Sequence, residues 1–322
     1  MFTTDTGQTI NLASILQENY HLNITAITDA PRQFVAYTFF ITADSQKFFC
    51  KIIDKPRFIP RVIQSLPPLD NLHQLGFSKI AYPIPTVSKG LYLKFGDILV
   101  VLFNYINAPQ NYAYDNVVFG QTLAELHNLT EQLSATIPPE TFQFGDESVF
   151  RHRLGKIVTS NPDTPASLAL KELTVKNHDN LLFFYDTFLS LGEKCRDTKW
   201  QMVITHGDAP GNILVKSPQD IYLVDWDDLL LAPAERDLWF LLGRNELLDG
   251  YLSVRPNYEI NQDAVNYYLF NRYFNDLVEY WDEIIGKSSE EHKMDNLKQM
   301  KWDLFEEDGW LYPLVKRSYH QG

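Results

Sequence analysis

Along the first hundred residues, apolar positions mostly alternate with polar ones; beyond them they recur every three or four positions. Residues 8–20 place Ile10, Ala13, Leu16 and Tyr20 near helical spacing, which predicts a short amphipathic helix. Residues 24–28, 34–42 and 47–53 read as strands. The loop Ala43-Asp44-Ser45-Gln46 predicts an antiparallel hairpin between the last two. A helix is expected over 65–76, with Ser65 as cap, Pro67 and Pro68 in its first turn and Gly76 as its stop. Two further strands are expected at 91–94 and 98–103.

After Asn104-Tyr105-Ile106-Asn107-Ala108-Pro109 the period changes. Phe119, Leu123, Leu126 and Leu129 mark a helix ending near His127-Asn128, and helical patterns recur at about 166–195, 232–250, 262–286 and 289–308. A short strand pair, 213–215 and 221–224, interrupts them. An antiparallel sheet followed by a mostly helical part is an α+β layout with two lobes and a natural cleft.

Composition narrows the function classes. The 322 residues are 45 % hydrophobic and 14 % aromatic, enough for a real core with rings to spare for a pocket. A net charge of −13 argues against coating nucleic acid or an anionic membrane. The charge is uneven: residues 1–103 hold nine basic and seven acidic side chains, whereas residues 246–308 hold six basic and fifteen acidic ones. The first region tolerates an anion and the second attracts a cation, although a solvated acidic helix face explains the second equally well. Two cysteines, Cys50 and Cys195, are too few for a disulfide framework, and Cys50 sits in an apolar run. The N-terminus shows no targeting pattern and no run approaches 18 apolar residues, so a cytoplasmic, membrane-free protein is expected.

The chemistry concentrates in Met202-Val-Ile-Thr-His-Gly-Asp-Ala-Pro-Gly-Asn-Ile-Leu-Val215 and Ile221-Tyr-Leu-Val-Asp-Trp-Asp-Asp228. An apolar run leads into His206-Gly207-Asp208. A tight Pro-Gly turn brings in Asn212, and Asp225 ends the next apolar strand. Carboxylate, amide and carboxylate on strand-anchored loops suit a hard divalent ion completed by phosphates and water. One carboxylate is left to orient a hydroxyl.

These two segments resemble the catalytic and metal segments of the aminoglycoside phosphotransferase family, whose members share the bilobal protein-kinase-like fold. The resemblance extends to Phe48-Phe-Cys-Lys-Ile52, Phe119-Gly-Gln-Thr-Leu-Ala-Glu-Leu-His127 and Ala232-Pro-Ala-Glu-Arg-Asp-Leu238. With Asn271-Arg272-Tyr-Phe-Asn-Asp276, the later segments look most like the spectinomycin phosphotransferase branch. It implies an α+β bilobal fold with a nucleotide lobe over 1–103, a hinge over 104–108 and a catalytic and acceptor-binding lobe over 109–322. It also implies roles. Asp208 matches the catalytic carboxylate that orients the acceptor hydroxyl. Asp225 and Asn212 match the Mg²⁺ ligands, and Lys51 the lysine that holds the ATP phosphates, GTP being the other possible donor. Phe103 and Tyr105 fall in the linker whose backbone reads the base. His206 and Asp237 match support for the catalytic loop. Asp227 offers a metal or neighbouring contact.

Three departures from the family pattern stand out. Only Ala209, Pro210 and Gly211 separate Asp208 from Asn212, where the family has four residues. The phosphate-covering loop, Asp29-Ala-Pro-Arg-Gln-Phe34, lacks glycine and leaves Arg32 as a charged substitute. Residues 55–80 contain no Glu to pair with Lys51, so Asp70 or Gln64 are the candidate partners. The implied activity is phosphoryl transfer to a small cationic molecule, such as an aminoglycoside or aminocyclitol. Candidate acceptor contacts are Asp228, Asn271, Asp276 and Glu279. The alternatives are a choline- or sugar-type kinase and a catalytically weakened nucleotide-binding or regulatory protein. Asp225 is followed within a dozen residues by Ala232-Pro-Ala-Glu235, which leaves no activation segment for a protein substrate.

Overall fold

The computed structural model describes residues 2–3, 7, 9–31, 36–143, 147–241 and 245–319. The α+β chain divides into two units. One comprises Met1–Pro139, Met202–Asp237 and Arg244–Tyr258; the other comprises Glu140–Gln201, Leu238–Gly243 and Glu259–Gly322.

The first unit opens with a short ladder of β1 (Phe2–Thr3) on β2 (Thr9–Ile10), followed by α1 (Leu12–Tyr20). Asn11 starts α1 by accepting the Ser14 N–H at 3.3 Å. Five antiparallel strands follow: β3 (Ile24–Asp29), β4 (Tyr37–Ala43), β5 (Gln46–Ile53), β6 (Leu93–Phe95) and β7 (Ile98–Asn104). Their spatial order is β3-β4-β5-β7-β6. Asp44 and Ser45 join β4 to β5 with φ of 49° and 64°, a two-residue turn whose twist suits a hairpin.

Alternation sorts the two faces of this sheet. Phe39, Ile41, Cys50, Ile52, Val100 and Leu102 pack with Leu12, Leu16 and Tyr20 of α1. Phe40, Phe49, Lys51 and Phe103 line a cavity on the opposite face. A one-residue slip would drive Lys51 into the apolar core, so burial of the core face fixes where the lysine points.

Helix α2 (Ile59–Gln74) corrects the expected start at Ser65. Pro60 occupies the first turn, and the Ser65 hydroxyl donates to Val62 O at 2.9 Å from inside the helix. Pro67 and Pro68 are interior, where each costs about 3 kcal/mol. Val62, Leu66, Leu69 and Leu72 are buried along one face, and their packing outweighs that cost.

The unit continues with α3 (Asn116–Asn128) and the short paired strands β8 (Val203–Thr205) and β11 (Leu230–Ala232). The hairpin of β9 (Ile213–Ser217) and β10 (Asp220–Leu223) lies between β8 and β11 in sequence. Then come α7 (Glu235–Leu238) and α8 (Asn245–Val254). Helices α3 and α8 touch backbone to backbone: a Cβ on Gly120 would lie 2.0 Å from Leu247 O, and one on Gly250 2.1 Å from Val117 O.

The second unit holds α4 (Glu147–Thr159), α5 (Pro165–Lys176), α6 (His178–Asp197), α9 (Gln262–Ile285), α10 (Glu290–Phe305) and α11 (Tyr312–Tyr319). Rings fill its core. Phe150 stacks on Tyr185 at 4.1 Å and on Trp281 at 5.7 Å, while Phe188 stacks on Tyr267 at 5.2 Å. The single helix expected over 166–195 is two helices, broken where Asn177 Nδ2 donates back to Leu173 O at 2.8 Å. The sequence pattern over 232–250 is likewise divided, into α7, a 3₁₀ turn at Trp239–Leu241 and α8. Helix α4, absent from the expected helices, buries Phe150, Leu154 and Ile157, which repeat at helical spacing. Among the described residues, no helix is long and apolar enough to cross a membrane.

Candidate active site

The sheet face that carries Lys51 lines a cavity of about 360 Å³, within the range of small-ligand pockets. Its walls are aromatic and aliphatic: Phe40, Phe49, Phe103 and Tyr105 from the sheet and linker, Leu214 and Val224 from the β9–β10 hairpin. Tyr105 packs edge-on to Phe40 at 5.6 Å, so linker side chains form part of the wall. Asn104 clamps the linker to Tyr82: its N–H donates to Tyr82 O at 3.1 Å and its Oδ1 accepts the Tyr82 N–H at 2.7 Å.

Lys51 lines this cavity and is only 3 % exposed. Its Nζ donates to Asp225 Oδ1 at 2.8 Å and to Asp227 Oδ2 at 2.7 Å. Burial opposes its charge, but Asp227 and Asp225 outweigh burial and hold the ammonium above its ordinary pKa. Burial, with Asp225 alongside, pushes the Asp227 carboxyl above the usual carboxylate range despite Lys51. Two carboxylates thus share one ammonium. Asp225 itself has φ of 63°, a left-handed backbone that a non-glycine residue holds only where its surroundings enforce it. Two arginines hold the loop just beyond it. Arg61 of α2 pairs with Asp228 at 2.8 Å, and Arg236 of α7 donates to Asp228 O at 2.7 Å.

The catalytic-loop candidate is built differently. Asp237, 1 % exposed, accepts the backbone N–H of His206 at 2.8 Å and of Gly207 at 2.6 Å. His127 of α3 adds its Nε2 at 3.2 Å. Burial alone would raise the Asp237 pKa; the hydrogen bond from His127, with Arg236 nearby, holds it below the usual carboxylate range. Tyr251 OH lies 2.8 Å from His127 Nδ1 and accepts from Arg255 Nη1 at 2.8 Å. One assignment satisfies every atom: Tyr251 donates to Nδ1, and the Nε2–H donates to Asp237. Burial, against the pull of Asp237, lowers the His127 pKa and keeps the ring neutral.

His206 is fully buried and bonds within the loop. Its Nε2 lies 2.9 Å from Val224 O, and its Nδ1 accepts the Asp208 N–H at 3.3 Å. Asn212 Nδ2 donates to Asp208 O at 2.8 Å and to Asp208 Oδ2 at 3.1 Å, while Asn212 O accepts the Val224 N–H at 3.0 Å. The shortened three-residue spacer is a 3₁₀ turn, Ala209–Gly211, and Asn212 still reaches Asp208. Gly207 has φ of +88°, and a Cβ there would lie 2.3 Å from Arg236 Nη2.

The structure therefore brings Asp208, Asn212 and His206 together in one loop, with Asp237 behind it. It gathers Lys51 and Asp225 in a second cluster beside Phe103 and Tyr105. It does not pair Lys51 with Asp70, whose carboxylate accepts Gln74 Nε2 at 2.7 Å, and Gln64 is exposed. Arg32 lies outside the described residues. Asn271, Asp276 and Glu279 lie on α9 of the other unit, where Asp276 pairs with Arg272 at 2.9 Å. Trp226, Trp239, Tyr267 and Tyr268 are buried. Sequence reasoning gave no role to His127, Tyr251, Arg255, Arg61 or Arg236. Only His127 left a trace, a polar ring ending the otherwise apolar face of α3.

A sheet that presents a buried lysine to an aspartate-bearing hairpin, beside a loop carrying His-Gly-Asp, defines a kinase-like phosphotransferase. The chain belongs to the phosphotransferase enzyme family, whose model matches residues 27–259. It is accordingly a small-molecule phosphotransferase. No curated protein matches it. Among solved structures it is similar to the spectinomycin phosphotransferase APH(9)-Ia in complex with ADP and spectinomycin (TM-score 0.75, 20 % identity, covering 97 % of this chain and 98 % of that one). It is also similar to an aminoglycoside phosphotransferase from Alicyclobacillus acidocaldarius (TM-score 0.62, 18 % identity, 98 % and 99 % covered). A third is the GDP and kanamycin complex of APH(2")-IIia (TM-score 0.56, 12 % identity, 90 % and 96 % covered). At these identities the likeness is one of fold.

Proposed function

We propose that the protein transfers the γ-phosphoryl group of ATP, with GTP as the other candidate donor, to a hydroxyl of a small cationic molecule. The observation that carries this reading is the stitching of two loops. Asn212 binds Asp208 through its side chain and the strand before Asp225 through its backbone, while Lys51 binds Asp225. The aromatic cavity beside them suits a purine base, flat and stackable. In this reading residues 1–103 form the nucleotide lobe, 104–108 the hinge and 109–322 the catalytic and acceptor lobe.

The residues present fit a nucleotide-borne Mg²⁺ rather than a resident metal. Among the described residues no cluster of three or more His, Cys, Asp or Glu could hold an ion by itself. Asp225 supplies a carboxylate. Asn212 uses its amide nitrogen on Asp208, which leaves its amide oxygen to face a metal. When bound, the ion neutralises charge on the transferring phosphates. The chain's own residues do the rest. Lys51 holds the triphosphate by charge, the cavity holds the base, and Asp208 accepts a hydrogen bond from the acceptor hydroxyl and aims its lone pair at phosphorus.

Support for a cationic acceptor comes from the fifteen acidic and six basic residues of 246–308, and from the spectinomycin and kanamycin bound by the similar structures. Candidate contacts remain Asp228, Asn271, Asp276 and Glu279. Two buried cysteines, neither in a disulfide, suit a reducing cytoplasm.

The deciding experiment is nucleotide consumption with ATP and GTP against aminoglycosides, spectinomycin, choline-like amines and sugars. Turnover is expected with an amine-bearing acceptor and should weaken as salt rises or when the amines are acetylated. Asp208→Ala should lose about 10³-fold in turnover while still binding nucleotide. Full activity in that variant sinks the reading. Silence across the panel with intact nucleotide binding favours the weakened nucleotide-binding alternative.

A further inference from the structure

We infer that Asp227 is the positioning residue of Lys51, doing from the hairpin loop what no acid on α2 is placed to do; this rests on the phosphotransferase reading above. A buried ammonium needs a carboxylate within reach. Around Lys51 the α2 side of the cavity presents Ser65 and Leu69. The hydroxyl of Ser65 is bonded to Val62 O, and Leu69 is apolar. Asp70 points its carboxylate to Gln74. Among the described residues, the acids that pair with Lys51 are Asp225 and Asp227.

These two are not equivalent. The Asp225 side chain is 26 % exposed and Asp227 only 12 %. Asp225 lies two residues beyond β10 with a left-handed backbone and lines the cavity given above to the nucleotide. Once Asp225 turns to a nucleotide-bound ion, Asp227, at 2.7 Å, stays on Lys51 as its carboxylate partner and aims the ammonium at the phosphates. The loop that bears Asp227 is itself pinned by Arg61 and Arg236 through Asp228, so the anchor for Lys51 is fixed to α2 and α7 as well. The absent helix acid is thereby replaced by the second aspartate of Asp-Trp-Asp. Its carboxylate reaches the lysine from a loop 176 positions away in sequence.

The test separates a lysine anchor from a metal ligand. Binding of ADP is measured by calorimetry across a Mg²⁺ titration, for wild type, Asp227→Asn, Asp225→Asn and Lys51→Met, and for each Asn variant in the Lys51→Met background. Asp227→Asn is expected to weaken Mg²⁺–ADP binding about tenfold. The Mg²⁺ concentration for half-maximal binding should stay the same, and no further loss should appear once Lys51 is Met. Asp225→Asn should raise that Mg²⁺ concentration in both backgrounds. The inference is overturned if Asp227→Asn shifts the Mg²⁺ requirement, weakens binding equally with and without Lys51, or leaves binding unchanged. If Lys51→Met does not fold, the Mg²⁺ requirement and affinity of Asp227→Asn decide alone. Failure of wild type to bind any nucleotide would instead strike the parent reading.

Discussion

Two short segments of one unit, 206–212 and 225–228, are held in place by opposite means. The first hangs from a buried carboxylate: Asp237 takes two backbone N–H groups, and His127, Tyr251 and Arg255 close the chain of hydrogen bonds behind it. The second is held largely by charge, with Lys51, Arg61 and Arg236 arriving from the sheet, α2 and α7. A relay of directional hydrogen bonds around a buried carboxylate has one low-energy arrangement. Ion pairs can exchange partners when an anion and a cation arrive together. The loop that must hold an acceptor in aim is thus the rigid one, and the loop that must admit phosphates and a metal is the exchangeable one.

The comparison breaks first at Asp237. Asp237→Ala strands two buried N–H groups and one ring N–H. It should destabilise the protein by about 3–5 kcal/mol in urea unfolding and abolish turnover. Next comes Gly207→Ala, which meets both the left-handed backbone and Arg236. A loss of about 2–3 kcal/mol is expected, and an unchanged melting temperature would show that the loop is softer than described.

Because His127 is held neutral in the fold, its folded pKa lies below its unfolded value of about 6.5. The unfolded chain therefore binds the extra proton. Stability is full above that value and falls as pH drops below it, by at most about 1.4 kcal/mol per unit. His127→Gln should flatten that part of the stability profile, and an identical slope in the variant would contradict the assignment. Asp237 works in the same direction at lower pH: its depressed pKa keeps its contribution until pH falls below the ordinary carboxylate range.

The smallest effect belongs to the charged loop. Arg61 and Asp228 are 41 % and 48 % exposed, so Arg61→Ala should cost under about 0.5 kcal/mol and the cost should vanish in high salt. A salt-insensitive loss above that would mean that the second loop is as rigid as the first.

Much of this was legible in the sequence. The alternation in β4 and β5 places Lys51 opposite Cys50 and Ile52. Two local motifs bring Asp208, Asn212 and Asp225 into one short stretch of chain. The start of α2 was not legible, because local rules put prolines in a first turn, whereas burial of Val62, Leu66, Leu69 and Leu72 carries the helix through them. The strands β8 and β11 are three residues each, too short for periodicity to register.

By itself, the sequence determined which face Lys51 takes, where the two loops fall and that the chain is acidic and α+β, because these depend on composition and on neighbours a few positions apart; the phosphotransferase reading came from the resemblance of its motifs to a family. Tertiary structure alone decided what Lys51 touches and what stands behind Asp237. Those partners are 174, 176 and 110 positions distant. No local period encodes them; they follow from which buried charges need a counterpart and which element is near enough to supply one.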